Sequence, residues 1–212
     1  MTSLKVAESV VVPLSTPPKN FNTLHLPTRE VRVDKLRRVS GHASGEPYFG
    51  KKGLYRFDDP KNKYGTCYLG LDLDTAVAES VLHDQMPDNG TFEVAQSVMD
   101  CKHLVKIAPN AAGHKLVVAD LTGANLKRLG GDNAISSEVP YDQCQKWSAA
   151  VHAHPANVDG IMFVSRQLND KKAVILFNRA ASKLGAASYT KLAKARGLAK
   201  TMDKLGIKVV LP

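Results

Sequence analysis

Apolar positions recur at strand and helix periods in short, irregularly interleaved segments. Val31 to Val39 reads as a first strand, followed by a loop from Ser40 to Gly53 that is rich in Gly and carries Pro47. Leu54 to Phe57 is short and strand-like, Pro60 to Gly65 is a turn, and Cys67-Tyr68-Leu69 is the next strand. Asp72 and Asp74 offer caps for a helix from about Thr75 to Gln85, with Ala76, Val77, Ser80 and Val81 on one side and Glu79 in its early turns. Phe92 to Met99 fits neither period alone. Leu104 to Ile107 and Leu116 to Leu121 are rich in Val, Ile and Leu and read as strands. Gly123 to Leu129 reads as a short helix capped by Thr122, and Pro140 suits the first position of a helix running to about Ala153. Ile161 to Val164 and Ala173 to Phe177 form a hairpin of buried strands with Ser165 at its shoulder. In the tail, Leu192, Ala195, Ala199, Met202 and Leu205 are spaced as a helix over Tyr189 to Leu205, and Ile207 to Leu211 makes one last strand. Short strands mixed irregularly with helices predict an α+β fold rather than a doubly wound sheet.

Length and composition narrow the classes. A chain of 212 residues can bury a full core. It has no apolar run near the roughly 20 residues of a membrane span. The start, MTSLKVAESVVVPLSTPPKN, lacks the charged lead and long apolar stretch of a secretory signal. Cys67, Cys101 and Cys144 are scattered, which fits a reducing compartment rather than a disulfide framework. Residues 1–30, broken by Pro13, Pro17, Pro18 and Pro27, read as an extension that either wraps the body or stays partly disordered.

The net charge of +9 is unevenly placed: +4 in residues 1–38, +6 in residues 183–212 and −1 between them. Solvated faces account for this more simply than a nucleic-acid surface does. Phe21 and Tyr189 are the only aromatics at the ends, so base stacking has little to work with.

Several familiar sites are missing. His152 and His154 are two apart, which splays them on a helix, and Cys and His are not clustered, so no metal site is expected. There is no GxGxxG after a strand, no GxxxxGK[ST] and no GxSxG around Ser165. What remains is Arg56 to Glu79, RFDDPKNKYGTCYLGLDLDTAVAE, where a strand, a tight turn and a helix bring Arg, Tyr and Glu toward one cleft.

This stretch resembles the centre of the RES domain, a family named for an arginine, a glutamate and a serine that includes toxins of bacterial toxin–antitoxin pairs. Leu36-Arg37-Arg38-Val39 resembles the strand bearing the family's first arginine, and Asp159-Gly160-Ile161-Met162-Phe163-Val164-Ser165-Arg166 resembles its strand ending in Ser-Arg. The likeness runs over roughly Val33 to Ala181. One departure is that Leu54-Tyr55 separate Gly53 from Arg56, where many members have Gly directly before Arg-Phe. The resemblance implies a fold similar to the ADP-ribosyltransferases, with two small packed sheets around an NAD cleft. Taken with the proline-broken start and the basic tail, it gives three parts: an extension at 1–30, a RES-like catalytic domain at 31–182 and a basic helical tail at 183–212.

Cleaving the N-ribosyl bond of NAD+ releases nicotinamide as a neutral base, so one carboxylate is enough, unlike the pair that ordinary glycosidases need. Glu79 matches that carboxylate. Arg38 and Arg56 match the family's arginines, whose planar fork suits a pyrophosphate. Strand alternation lets only one of Arg37 and Arg38 face the cleft, and the motif favours Arg38. Tyr68 matches an aromatic packed near nicotinamide, and Ser165 a hydroxyl that bonds the nicotinamide end or holds Glu79. His42 and Tyr48, between the arginines, line the cleft in this reading. The implied activity is NAD+ consumption, with water or phosphate as acceptor; mono-ADP-ribosyl transfer to a protein is the alternative, and a basic nucleic-acid-binding module ranks third. NAD+ is substrate rather than cofactor. A cognate antitoxin is implied as partner and no membrane, while the oligomeric state stays open. The implied site of action is the cytoplasm, of the producing cell or a neighbour.

Overall fold

The computed structural model describes residues 13–110 and 115–211, so the start of the N-terminal extension lies outside the described residues. The chain runs through β1 (Thr28–Arg32), β2 (Arg37–Ser40), β3 (Thr66–Gly70), α1 (Leu73–Val81), β4 (Phe92–Ala95), α2 (Gln96–Asp100), β5 (His103–Pro109) and β6 (Lys115–Asp120). It continues through α3 (Gly123–Arg128), α4 (Ala134–Ser137), α5 (Asp142–Ala153), β7 (Gly160–Val164), β8 (Lys172–Phe177), β9 (Leu184–Lys191), α6 (Leu198–Leu205) and β10 (Ile207–Val210). Strands and helices are mixed, as expected. Instead of two small packed sheets there is one eight-stranded sheet, ordered β1-β6-β7-β8-β3-β2-β5-β9, and a separate parallel pair β10-β4. In the large sheet β6 and β7 run parallel and every other pair is antiparallel.

Connectivity forces the large sheet to curl. β1 and β2 are five inter-strand steps apart but joined by residues 33–36 alone. A flat sheet would separate them by about 24 Å at ~4.8 Å per step. Such a linker reaches about 18 Å even fully extended. The curl is visible in the core: Val31 and Val33 from one end pack in the same cluster as Val105 and Ile107 from the other, with Leu116, Val174 and Leu176 between them.

β7 and β8 are covered on both faces, which is why GIMFV and KAVILF read as nearly unbroken apolar runs. Val174 and Leu176 face the curl, whereas Ala173, Ile175 and Phe177 join Trp147 and Val151 of α5 on the outer side. The described part of the N-terminal extension wraps this outer layer. Leu14 is buried, Trp147 Nε1 donates to the Ser15 carbonyl at 2.8 Å, and Phe21 meets Trp147 edge-on at 5.6 Å. A third cluster joins Ala76, Val77, Val81 and Leu82 of the α1 region to Leu192, Ala195, Leu198 and Ile207 near the C-terminus.

Some element boundaries differ from expectation. Val31 to Val39 is not one strand. Val33 and Leu36 are both fully buried, and a three-residue spacing places them on one side only of a 3-10 turn, Val33–Lys35. Leu54 to Phe57 is a turn, because Asp58 Oδ2 accepts from the backbone N–H of both Leu54 and Tyr55 at 3.1 Å and bends the chain. α1 begins at Leu73 and stops at Val81, so Glu79 sits in its closing turn. α5 starts at Asp142 rather than at Pro140. The tail is not helical from Tyr189: β9 is an edge strand of the large sheet, and Gly197 at φ +91° starts α6 only at Leu198. No helix among the described residues is long and apolar enough to cross a membrane.

Candidate active site

A cleft of about 870 Å³ opens beside β3, between α1, the loop after β2 and the turn before β3. Arg38, His42, Tyr48, Arg56, Tyr68 and Glu79 all line it. Ser165 lies just behind the wall, 2% exposed, and reaches the site through Glu79.

Glu79 is placed by a short chain of causes. Gly70 ends β3 in a turn so tight that a Cβ there would lie 2.7 Å from the Ala76 nitrogen. Asp72 then caps α1, its Oδ1 accepting from the Thr75 N–H at 2.8 Å and the Thr75 hydroxyl at 2.7 Å. Two turns later Glu79 Oε1 accepts from Ser165 Oγ at 2.5 Å. The Ser165 oxygen itself accepts from the N–H groups of Gln167 and Leu168 at 3.2 and 3.1 Å. With its lone pairs committed to the β7–β8 turn, the hydroxyl has its proton to give to Glu79. Lys171, on the same turn, bonds Asp72 Oδ2 at 2.8 Å and ties the hairpin to the start of α1.

Arg37 and Arg38 both contribute to the cleft wall, although strand alternation predicts one. Their guanidinium groups differ. That of Arg37 turns back onto the carbonyls of Asp34 and Leu36. That of Arg38 crosses β3, donating to the Tyr68 carbonyl at 2.9 Å and to Glu46 Oε1 at 2.8 Å. Burial opposes ionisation of Glu46, yet Arg38 and the Tyr48 N–H outweigh it and hold the carboxyl below its usual range.

Arg56 is 7% exposed and faces no carboxylate within salt-bridge distance among the described residues. Its Nη1 donates to the Glu138 carbonyl at 2.8 Å, and its guanidinium lies over the Tyr141 ring at 4.7 Å. Tyr68 is pinned at its hydroxyl, which accepts from the Phe57 N–H at 2.8 Å and donates to Asp58 at 3.3 Å. Burial, with Asp58 beside it, pushes that hydroxyl well above its ordinary pKa. Tyr68 therefore offers the cleft a ring face and no proton. His42 and Tyr48 lie on the exposed rim.

Residues without an assigned role in the motif reading prove important. Asp58 organises the Arg56 turn and, through Thr66 Oγ1 at 2.5 Å, fixes it to β3. It stands inside the RFDDP motif, and its place two residues after Arg56 was the available signal. Glu46, Tyr55 and Tyr141 carry no sequence signal, since each sits in a loop or beside a helix start where no period applies. One carboxylate aimed by a serine, two arginines and a fixed aromatic wall form a site able to stabilise a developing cation beside a bound anion.

No curated protein matches the chain. A chain in the crystal structure of the M. tuberculosis MbcT–MbcA toxin–antitoxin complex is similar in fold, with a TM-score of 0.56 at 16% identity, covering 78% of this chain and 88% of that one. The RES domain matches residues 30–194, a span that holds Arg38, Arg56, Tyr68, Glu79 and Ser165, and the chain belongs to the RES-domain family.

Proposed function

We propose that the protein cleaves the nicotinamide–ribose bond of NAD+, in a cleft like that of the ADP-ribosyltransferases, as the toxin of a toxin–antitoxin pair. The observation that carries this reading is the Glu79 carboxylate, held at 2.5 Å by a buried serine in a cleft that also holds Arg38, Arg56 and Tyr68. Nicotinamide departs as a neutral base, so no acid has to protonate it. Positive charge grows on the ribose at C1′, and Glu79 lies against it. Water or phosphate, drawn to the same carboxylate-flanked carbon, completes a glycohydrolase or phosphorylase. Arg38 and Arg56 take the pyrophosphate, and Tyr68 backs the nicotinamide. The antitoxin covers the cleft, and the cytoplasmic NAD+ pool is the target. The toxin–antitoxin complex that contains the fold relative supports the partner.

Purified protein supplied with adenine-labelled NAD+ tests the proposal. Free nicotinamide should appear, with label in ADP-ribose or its phosphate. Glu79→Gln keeps an acceptor for Ser165 but removes the charge, and should slow turnover by on the order of 10²- to 10³-fold. Label attached to protein in a lysate would replace this reading with mono-ADP-ribosyl transfer. NAD+ left intact with water, phosphate and lysate as acceptors would remove both.

A further inference from the structure

The cleft lining holds more than the groups of the proposed reaction. Tyr55 and Tyr48 also line it, and they are 59% and 57% exposed. Packing does not explain these rings, since most of each is left to solvent. The chain beneath them is nevertheless fixed. The Tyr55 N–H donates to Asp58 Oδ2 at 3.1 Å, and its carbonyl accepts from the Asp58 N–H at 3.0 Å and from Gln145 Nε2 at 3.1 Å. The Tyr48 N–H donates to Glu46 Oε2 at 2.8 Å.

The Tyr55 support hangs from the first residue of β3, whereas Glu46 is held by Arg38 Nε at 2.8 Å. Gly50 and Thr66 exchange backbone hydrogen bonds at 3.0 and 2.9 Å, and Thr66 Oγ1 holds Asp58, which holds Tyr55. The Tyr55 ring meets Tyr68 edge-on at 5.9 Å and an interplanar angle of 67°, so the two rings form one aromatic surface that includes the Tyr68 wall. Arg56, the next residue, lines the cleft beside it. An uncovered ring on a rigid backbone suits stacking of a planar base, because little freedom is lost when the base arrives.

We propose that Tyr55 is the platform for the purine base at the far end of the dinucleotide. This rests on the NAD+ reading of the site and adds its specificity. The nicotinamide end lies at Tyr68 and Glu79, the pyrophosphate crosses at the arginines, and the adenine stacks on Tyr55. Tyr55 touches no reacting atom. It selects a dinucleotide over a nicotinamide mononucleotide.

AMP binding, measured by calorimetry on wild type, Tyr55→Ala and Tyr55→Phe, tests the platform without requiring turnover. Base–aromatic stacking is lost in the alanine variant, so AMP affinity should fall on the order of tenfold, and the phenylalanine variant should restore it. The ratio of kcat/KM for NAD+ over nicotinamide mononucleotide should fall by a similar factor, through KM for NAD+. The exposure of Tyr55 makes the fold insensitive to its loss. If wild type binds no AMP, or if Tyr55→Ala binds it equally well, the platform is overturned even where NAD+ is cleaved. If AMP binds through Tyr55 while NAD+ stays intact, the platform stands and the cleavage reading alone falls.

Discussion

Arg56 is a buried cation whose described partners are a carbonyl, a sulfur and a ring face, the Sγ of Cys144 lying 3.7 Å from Nη1. A charge held away from water with so little compensation is costly unless something completes it. An anionic ligand in the cleft would do so. The fork matters as much as the charge: one arm is spent on Glu138, and the plane must lie over Tyr141. Lysine offers a point charge without the plane. Arg56→Lys should therefore raise KM for NAD+ about tenfold with a smaller change in kcat, as read from steady-state kinetics. Arg38, Glu79 and Ser165 were legible as motif residues, and the structure brings them together. Glu46 was not, because an ion pair between a strand and a Gly-rich loop leaves no period or spacing in the sequence. The motif left Ser165 two roles, bonding the nicotinamide end or holding Glu79; its burial, the two N–H groups on its oxygen and its 2.5 Å bond to Glu79 favour the second.

At the level of elements, α1 is the part whose position sets the site. Its start is tied twice. Asp72 reaches Lys171 on the turn that carries Ser165, and Asp74 accepts from Thr201 Oγ1 at 2.7 Å and pairs with Lys204 at 2.8 Å. Thr201 is 3% exposed on α6, beyond the matched residues 30–194. Thr201→Val preserves shape and leaves Asp74 with one partner fewer. It should lower stability by about 1 kcal/mol, speed amide hydrogen exchange in α1 relative to α5, and slow turnover. Thr201→Ser should reverse all three. The β7–β8 hairpin was readable because strands buried on both faces are continuous apolar runs. Tyr189 to Leu205 was misread for the opposite reason: β9 is an edge strand with small polar residues and an alternating exposed face, so the helical spacing of Leu192 to Leu205 dominated the pattern. The 3-10 turn inside Val31 to Val39 was hidden because the curl that demands it depends on strand order, a property of the whole sheet.

Across the whole molecule, ionisable groups set how stability responds to acid. His152 stacks on Tyr64 at 3.9 Å and meets Phe177 edge-on; burial, then Arg179, lowers its pKa from 6.5 to about 4. Between those values the unfolded chain binds a proton that the folded chain refuses, so stability falls as pH falls from 6.5 toward 4. Glu46, Asp72, Asp74 and Asp120 are partly desolvated, which opposes their ionisation, but their hydrogen bonds and cations outweigh this and hold each below its usual range. Their contribution is complete above the unfolded carboxylate pKa and is lost as pH falls through the depressed folded values. Acid should therefore act in two stages, an upper one to which His152 contributes and a lower one, below about pH 4, from the carboxylates. His152→Phe keeps an aromatic ring against Tyr64 and removes the proton site. Thermal unfolding midpoints followed from pH 7 to pH 3 should show a flattened upper stage in that variant and an unchanged lower one. An upper stage that persists in His152→Phe would assign the loss to another group.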